Sequence, residues 1–351
     1  MLMTFPDDQT LYDALLRRDP SFEGRAFVGV VTTGIFCRLT CPARNPAQKN
    51  CRFYERLVDC LDAGFRPCKR CAPMSRPADS DPLVARLMAA LDSDPGRRWS
   101  EADLLAFGAD PSTVRRAFKR RFGATFLDLA RQRRLREGFT VLADGGSVIE
   151  AQIDAGFDSA SAFRVAFARL LGQSPAEFKS DAMLLADWLD TPLGSMIAIS
   201  CKHQLHLLEF IDRKALPREL ARLQRDHPGG IGIGRPTPTQ QLADELAAYF
   251  SGDSATFKTP LHLHGTPFQR EVWGALRTIP ASETRSYAQL AAELGRPTSA
   301  RAVARANGAN TLALVVPCHR IIGSDGALTG YGGGIWRKQR LIEIERQYAP
   351  V

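Results

Sequence analysis

The sequence predicts a multidomain α+β protein, and three observations predict it. Six of the eight cysteines fall within 35 residues, between Cys37 and Cys71, which indicates a small domain built around metal or thiol chemistry. Residues 83–180 show the helical spacing of apolar side chains. Residues 188–211 instead alternate apolar and polar side chains, the period of strands with one buried face, and helical spacing returns from about residue 267.

The composition narrows the class of protein. The chain has 351 residues, of which 44% are apolar and 24% charged, so it has room for two or three cores. No apolar run approaches the roughly 18 residues of a membrane helix, and the first residues lack the pattern of a signal peptide. We therefore expect a cytoplasmic protein with no membrane association. Its net charge of +8 indicates a polyanionic partner.

The cysteine-rich segment predicts a zinc site. Two close pairs of cysteines lie at its ends: Cys37-x3-Cys41 and Cys68-x2-Cys71. Two such pairs supply the four thiolates of a tetrahedral zinc site, and spacing alone favours a zinc ion that only holds a small domain together. Cys51 and Cys60 lack such spacing and are expected to be buried thiols. The alternative, a site that faces an anion, is indicated by the basic residues around the pairs: Arg38, Arg44, Arg66, Lys69 and Arg70.

Residues 32–44 (TTGIFCRLTCPAR) and 64–71 (GFRPCKRC) resemble the zinc domain of the Ada family. The resemblance implies a small zinc-bound α/β domain over residues 1–78, in which the four paired cysteines hold one Zn²⁺ that is structural and also activates the thiolates. It implies that Cys37 takes a methyl group from a DNA methylphosphotriester. The residues it places at the border of the phosphate are Thr33, Arg44, Arg66 and Lys69.

The charge of such a site suggests a switch. Zinc keeps bound thiols deprotonated while they remain nucleophilic. Four thiolates on Zn²⁺ carry a formal charge of −2, which repels the DNA backbone, and methylation of one sulfur reduces that charge to −1. Methylation should therefore raise the affinity for DNA.

The middle segment predicts two copies of a short helix pair. A run rich in proline, serine and aspartate at residues 72–82 predicts a linker before it. Apolar stripes repeat 49 residues apart and end at Gly123 and Gly172. A shorter helix precedes each stripe, and a longer helix at 125–143 separates the copies. The stripes are Val114, Ala117, Phe118 and Phe122, then Phe163, Ala166, Phe167 and Leu170.

Charged residues on one helix are usually only a solvated face, but two basic second helices favour DNA binding. Residues 83–181 resemble the all-α AraC-type double helix-turn-helix domain, in which each second helix enters a major groove. The resemblance implies that four residues contact the groove or the phosphates, without indicating which of them read bases: Arg115, Arg116, Lys119 and Arg164.

Residues 315–320 (VVPCHR) predict a third site. A buried cysteine beside a histidine is more often packing than catalysis, so the pattern alone is weak. Another short helix, turn and helix precedes it at 286–310, and a glycine-rich stretch at 323–334 permits close approach to a flat ligand. A nucleophile directly after a helix-turn-helix suggests chemistry on DNA itself.

Residues 186–346 resemble the O6-alkylguanine-DNA alkyltransferase family through FQREVW at 268–273, PCHR at 317–320 and YGGG at 331–334. The resemblance implies a mixed α/β, ribonuclease-H-like lobe at 183–265 and a helical, winged-helix-like catalytic lobe at 266–351. It implies irreversible methyl transfer from O6-methylguanine and O4-methylthymine to Cys318. Guanine O6 in a stacked duplex cannot meet a buried sulfur in line, so the base must be flipped out.

The same resemblance assigns roles to individual residues of the catalytic lobe. His319 is a base acting through water, and Glu345 orients it. Asn310 fixes the turn before an active-site strand, Tyr287 rotates the target phosphate, and Arg301 fills the gap left by the flipped base. The glycine-rich stretch contributes Tyr331 and Gly332 to substrate binding. Some relatives carry a side chain where this sequence has Gly332, whose amide can still donate to the substrate oxygen.

Four histidines lie in the alternating region: His203, His206, His262 and His264. They can indicate a second metal site, but their setting in alternating strands favours ordinary surface histidines.

Three functions remain open from the sequence. The first is a single-turnover methyltransferase that also activates transcription when Cys37 is methylated, and the second is a repair enzyme that its helix-turn-helix segment only anchors on DNA. The third, a cysteine hydrolase fused to a zinc regulator, fits the Cys318–His319 pair alone. We expect a monomer that binds double-stranded DNA, both alkylated and promoter DNA, with RNA polymerase as a partner if it is an activator.

Overall fold

The structure is a computed structural model that describes residues 5–19, 22–71, 73–74, 82–178 and 182–348. Most of the linker predicted at 72–82, and positions 179–181 at the predicted end of the helix-turn-helix domain, lie outside the described residues. The prediction of a multidomain α+β protein is confirmed. Within the described ranges, no helix is long and apolar enough to span a bilayer.

The amino-terminal unit is a four-stranded sheet with the order β3-β1-β2-β4. Strand β1 pairs antiparallel with β2 and β3, and β2 pairs parallel with β4. Cys37 lies in β2, and Cys68 directly follows β4. The pairing of these two strands therefore brings the two cysteine pairs together. Cys51 and Cys60 are buried, as predicted. The elements are α1 (Asp8–Arg17), β1 (Phe27–Val30), β2 (Ile35–Arg38), β3 (Cys51–Tyr54), α2 (Leu57–Asp62) and β4 (Arg66–Pro67).

The middle unit contains the two predicted copies of a helix pair, with the longer helix between them. Phe118 and Phe167, equivalent positions of the two stripes, are both fully buried. Gly123 and Gly172 end the second helix of each copy in the left-handed conformation that glycine adopts without strain. The helices are α3 (Pro82–Ser93), α4 (Glu101–Ala106), α5 (Pro111–Phe122), α6 (Phe126–Ala143), α7 (Val148–Asp154) and α8 (Ala160–Leu171).

The next unit is a mixed sheet with the order β7-β6-β5-β8. Its strands were expected to bury one face only, and this is wrong: β6 and β7 are buried along their whole length. Helix α10 and the last unit cover one face. Helix α9, the second helix pair and the longer helix before that pair cover the other face. There the ring of Phe139, from the longer helix, lies 5.8 Å from that of Trp188. The elements are β5 (Leu184–Leu189), β6 (Met196–Ser200), β7 (Leu205–Phe210), α9 (Leu216–Asp226), β8 (Ile231–Ile233) and α10 (Thr237–Ser251).

The last unit is mainly helical and joins the mixed sheet through backbone hydrogen bonds of Leu208 to Thr311 and Ala313. An active-site strand was expected after Asn310, and this is wrong: Cys318–Arg320 form one turn of 3-10 helix. The elements are α11 (Pro267–Thr278), β9 (Arg285–Ser286), α12 (Tyr287–Glu293), α13 (Ala300–Gly308), β10 (Ile321–Ile322) and α14 (Ile335–Glu345).

The expectation of ordinary surface histidines is wrong for His206. Its ring is only 4% exposed and lies between His262, His264 and a further histidine, His227. Burial and the neighbouring rings lower the pKa of His206 to about 3. His203 is exposed, as expected.

Two helical glycines provide a test of the packing in the middle unit. A Cβ on Gly138 of α6 would lie 2.8 Å from the backbone oxygen of Ala151 in α7, whereas a Cβ on Gly274 of α11 would meet nothing within 4 Å. Gly138→Ala should therefore destabilise the protein by about 1–3 kcal/mol through overpacking. The matched variant Gly274→Ala should be neutral or stabilise it by up to about 1 kcal/mol, since alanine has the higher helix propensity. Urea unfolding measures both, and equal effects would contradict the close α6–α7 contact.

Candidate active sites and metal centre

Cys318 lies at the base of a cavity of about 350 Å³. The cavity opens between the mixed sheet, helix α13 and the glycine-rich segment. A flat ring of nucleobase size fits a volume of this order. The lining residues are Glu209, Arg213, Tyr287, Ala304, Asn307, Gly308, Asn310, Ala313, Cys318, Gly330, Tyr331, Gly332 and Gly333.

Asn310 connects the turn to the thiol. Its Nδ2 donates to the carbonyl oxygen of Val316 at 2.9 Å and to the Sγ of Cys318 at 3.2 Å. Its Oδ1 accepts from the backbone nitrogen of Leu312 at 3.0 Å. Burial raises the pKa of Cys318, and the Asn310 hydrogen bond together with the charges of Arg213 and Lys338 opposes that rise only in part. The thiol is therefore protonated at neutral pH and needs a base to become a nucleophile.

His319, the residue expected to be that base, is held by a buried carboxylate. Its Nε2 lies 2.8 Å from Oε1 of Glu345, and the same carboxylate accepts from Arg320 and from the Tyr249 hydroxyl. Burial would raise the pKa of Glu345, but its interactions with His319 and Arg320 outweigh it and lower the pKa to about 2. Burial lowers the pKa of His319, which favours its neutral form. The ionised carboxylate fixes the proton of His319 on Nε2 and leaves Nδ1 with a lone pair. Nδ1 is buried and has no protein hydrogen-bond partner among the described residues.

The sequence interpretation missed three basic residues: Arg213, which lines the cavity, and Arg337 and Lys338, which bind the backbone of the glycine-rich segment. Arg213 donates to the carbonyl oxygens of Asn310 and Gly308, and pairs with Glu209. Lys338 is fully buried, its Nζ donates to the carbonyl oxygen of Thr329, and burial lowers its pKa to about 8.

Arg337 ties the glycine-rich segment to the mixed sheet. It donates to the carbonyl oxygens of Leu193 and Gly333 and to the carboxylate of Asp212. Arg337 and Lys338 belong to the basic run directly after the glycine-rich stretch, so their position in the sequence could have indicated a role near the cavity. Arg213 lies in a loop with no recognisable motif, so nothing in the sequence indicates its role.

The structure brings most of the residues expected to bind substrate to the cavity. Tyr287, Tyr331 and Gly332 line it, and the hydroxyl of Tyr331 is buried without a partner among the described residues. A Cβ on Gly332 would lie 3.0 Å from Nε of Arg213, so this arginine occupies the space beside the glycine. Arg301 lies outside the cavity, exposed in the first turn of α13, one helical turn before the lining residue Ala304.

The four paired cysteines also converge. The sulfur atoms of Cys37, Cys41, Cys68 and Cys71 all lie within 4.8 Å of one another. Tetrahedral zinc with Zn–S bonds of about 2.3 Å places its sulfurs about 3.8 Å apart, so the cluster fits Zn²⁺ after small side-chain shifts. Hydrogen bonds from Cys37 and Cys71 lower the pKa of Cys41, while the hydrogen bond with Cys41 raises the pKa of Cys37. The sulfurs thus share protons that a divalent cation would displace.

The residues expected at the phosphate are exposed, and Arg44, Arg66 and Lys69 lie within three positions of a clustered cysteine in the chain. Thr33 lies in the turn between β1 and β2, and Arg44, Arg66 and Lys69 are exposed. The ion pair of Arg38 and Glu23 lies next to the cluster. Arg38 also donates a hydrogen bond to the carbonyl oxygen of Cys71 at 3.1 Å, which fixes the backbone of that ligand. Cys37 itself is 8% exposed and less accessible than Cys68 or Cys71, so exposure alone does not single it out as a methyl acceptor.

The basic residues of the helix pairs are exposed on the second helices. Arg115, Arg116 and Lys119 lie on α5, where Arg115 pairs with Glu101 at 2.9 Å, and Arg164 lies on α8. The last residue of α5 contacts the catalytic unit: the ring of Phe122 packs edge-on against that of Trp336 of α14, with the centroids 5.4 Å apart. The first helix pair thus contacts the helix that carries Glu345.

Four family descriptions match consecutive parts of the chain. They are the metal binding domain of Ada (residues 10–74), a helix-turn-helix domain (105–181), the ribonuclease-like domain of 6-O-methylguanine DNA methyltransferase (184–263) and the DNA binding domain of the same enzyme (267–347).

Two relatives match along nearly the whole length. The chain is 35% identical over 350 residues, 97% of each protein, to the bifunctional transcriptional activator/DNA repair enzyme Ada of Escherichia coli. It is 36% identical over 344 residues, 94% of each, to the regulatory protein ada of Salmonella typhimurium. The crystal structure of the O6-methylguanine methyltransferase of Mycobacterium tuberculosis shares 41% identity over 48% of this chain and 96% of that chain, with a TM-score of 0.42.

The buried carboxylate of Glu345 provides a test of stability. Glu345→Gln removes the charge that neutralises Arg320, and breaking a buried ion pair costs about 3–5 kcal/mol. Glu343→Gln, on the same helix, removes only a surface partner of Arg340 and should cost less than about 1 kcal/mol. Thermal unfolding compares the two variants. Equal melting temperatures would contradict the stabilising ion pair of Glu345 with Arg320.

The same group predicts a pH dependence. The pKa of Glu345 in the folded state, about 2, lies below its ordinary value of 4.5, so its ionisation stabilises the fold above pH 4.5. That contribution is lost as the pH falls from 4.5 towards 2. Stability measured over this window should fall more steeply for the wild type than for Glu345→Gln, and parallel curves would contradict the assignment.

Proposed function

The chain belongs to the Ada family, and on that premise we propose that it repairs alkylated DNA by irreversible methyl transfer to two of its own cysteines. Cys318 accepts methyl from O6-methylguanine, and Cys37 accepts methyl from DNA methylphosphotriesters. The second transfer switches on sequence-specific activation of transcription. The observation that carries the proposal is a buried Cys318 in a base-sized cavity beside a histidine oriented by a buried carboxylate.

The transfer to Cys318 uses the residues of the cavity. Nδ1 of His319 takes the thiol proton through one water molecule, and the sulfur forms a bond to the methyl carbon. The bond from that carbon to O6 breaks, and its electron pair stays with the base, which takes up a proton at N1 to become guanine. Asn310 stabilises the thiolate through its hydrogen bond to Sγ. The product is a thioether, which nothing in the chain converts back to a thiol, so this site acts once.

The lining of the cavity supports a binding mode for the flipped base. Tyr331, the Gly332 amide and Tyr287 line the cavity. We propose that Tyr331 and the Gly332 amide donate hydrogen bonds to the base and that Tyr287 contacts the target phosphate. Arg301, exposed on the same face of α13 as the lining residues, is suited to occupy the gap left in the duplex. Flipping costs a few kcal/mol, which this insertion partly offsets.

The transfer to Cys37 uses the sulfur cluster. Zn²⁺, when bound, keeps the four sulfurs deprotonated and nucleophilic at neutral pH. Cys37 forms a bond to the methyl carbon of the phosphotriester, and the phosphate leaves as an ordinary diester anion. Thr33, Arg44, Arg66 and Lys69 are suited to hold that phosphate.

The switch follows from the charge that Cys37 loses. Methylation removes one negative charge from the cluster, which reduces its repulsion of the DNA backbone. Arg115, Arg116, Lys119 and Arg164 then contact a promoter, and RNA polymerase is the partner that activation requires. We propose a monomer, because one chain carries every site, and a cytoplasmic location, because both acceptors need reduced thiols.

Mapping of labelled methyl groups tests the two acceptors. The protein is incubated with DNA that carries labelled methyl on guanine O6 or on phosphate, and peptides are analysed by mass spectrometry. We expect label from guanine on Cys318 and label from phosphate on Cys37, each at no more than one per chain. Cys318→Ala and Cys37→Ala should each lose one transfer and keep the other, and Cys201→Ala, a thiol outside both sites, should keep both. Label on Cys68 or Cys71, or more than one methyl per site, would contradict the proposal.

Promoter binding before and after methylation tests the switch. Methylation of Cys37 should raise the affinity for promoter DNA at least tenfold and steepen its salt dependence by about one unit in the slope of log K against log salt, as for one more phosphate contact. Cys37→Ala treated in the same way serves as the control and should not change. Equal affinities before and after methylation would contradict the switch. The protein would then be a repair enzyme whose helix-turn-helix segment only anchors it on DNA.

A further inference from the structure

Four histidines form a cluster in the mixed-sheet unit, and none of them lines the cavity around Cys318. His206 lies on β7, and His227 directly follows α9. His262 and His264 lie in the extended segment that runs beside β7, held there by hydrogen bonds of Leu205 to residues 260 and 262. Three separate parts of the chain therefore contribute imidazoles to one place.

The rings are close enough to share an ion. One nitrogen from each of His206, His262 and His264 lies within 4.8 Å of the others, and Nδ1 of His206 is 2.9 Å from Nε2 of His264. The ring centroid of His227 lies 5.3 Å from that of His206 and 5.8 Å from that of His264. Tetrahedral zinc with Zn–N bonds of about 2.0–2.1 Å places its nitrogens about 3.4 Å apart. The rings of His206 and His262 stack 7° from parallel, so one of them must turn before both lone pairs meet at one ion. His227 lies outside the group of three and must move closer to become a ligand.

Two nitrogens of the cluster are without partners in the described structure. Nε2 of His206 and Nε2 of His227 are both buried and make no protein hydrogen bond. A buried polar atom without a partner is unfavourable, and Nε2 of His227 points to a ligand that would satisfy it. His206 would bind through Nδ1, the nitrogen that faces His264, so its Nε2 stays outside the coordination sphere.

Gln204 positions one of the rings for metal binding. Its Oε1 accepts a hydrogen bond from Nδ1 of His262 at 3.3 Å, which leaves Nε2 of that ring free with its lone pair. Metal-binding histidines in proteins characteristically donate their other nitrogen in this way, because the contact fixes the tautomer.

We propose that His206, His262 and His264 bind a second divalent metal ion of the late first transition series, with His227 as the fourth ligand, separate from the cysteine cluster. Neutral imidazole is the ligand type that Zn²⁺ and its neighbours prefer. The ion replaces the contact between His206 and His264 with two metal–nitrogen bonds. Binding of this ion changes no oxidation state, and the ion makes no bond to substrate.

The position of the site gives it a structural role. The segment that carries His262 and His264 leads directly into α11, the first helix of the catalytic unit. A metal ion would fasten this connection to β7 and to the end of α9. We therefore expect the ion to stabilise the alkyltransferase half of the protein without changing the number of methyl groups transferred.

Counting metal ions tests the proposal on the full chain. The protein is stripped with a chelator, reloaded with Zn²⁺, passed over a desalting column and analysed by elemental mass spectrometry. The wild type and His203→Ala, an exposed histidine in the same unit, should retain two zinc ions per chain. The double variant His262→Ala/His264→Ala should retain one. A wild type with one ion, or a double variant with two, would overturn the proposal.

Loading with Co²⁺ identifies the site even if the double variant folds poorly. Only the cysteine site gives sulfur-to-cobalt charge-transfer bands, so the second equivalent of Co²⁺ should add visible d–d absorption without further charge-transfer intensity. Gln204→Ala should weaken this second equivalent about 10–100-fold and leave the first unchanged. Charge-transfer bands that rise with both equivalents, or a second equivalent that Gln204→Ala leaves unaffected, would overturn the proposal.

Discussion

The carboxyl-terminal half of the molecule depends on one buried carboxylate. Glu345 is 1% exposed and accepts hydrogen bonds from His319, Arg320 and Tyr249, which belong to the catalytic turn and to α10. Arg320 in turn donates to the carbonyl oxygen of Ile279 at the end of α11. One charge therefore fixes the tautomer of the base and holds two helices against the turn that carries Cys318. The cost of burying that charge is offset only because each of its oxygens has a cationic or hydroxyl partner.

The two proposed acceptor thiols, Cys318 and Cys37, become thiolates in opposite ways. Burial raises the pKa of Cys318, so its proton is removed only when a base is oriented beside it. The sulfurs of the cysteine cluster lie close together, and a divalent cation would keep all four deprotonated at once. On the proposed function, the first site is neutral until substrate arrives, whereas the second, with Zn²⁺ bound, would carry a negative charge that its reaction reduces. Only the second is therefore suited to report its reaction through electrostatics.

Much of this architecture was predictable from the sequence, since the cysteine spacing, the repeated apolar stripes and the PCHR stretch each indicate a distinct unit. The sites are less predictable where distant residues meet. Arg213 reaches Asn310 from a loop 97 positions away, and no local pattern marks it. The burial of both faces of the mixed sheet also depends on tertiary packing, because the second helix pair covers the face that the alternating pattern assigns to solvent. His206 looked like a surface histidine for the same reason.

The shared core between the second helix pair and the mixed sheet limits how this chain can be divided. Phe139, Phe163 and Phe167 of the helices pack in one cluster with Trp188 and Ile197 of the sheet. A fragment that began at the sheet would present Trp188 and Ile197 to water, and an exposed apolar patch of that kind promotes aggregation. A chain that carried the sheet without these helices would therefore need polar side chains on this face of the central strands. The helix-turn-helix segment thus contributes to the solubility of the unit that follows it.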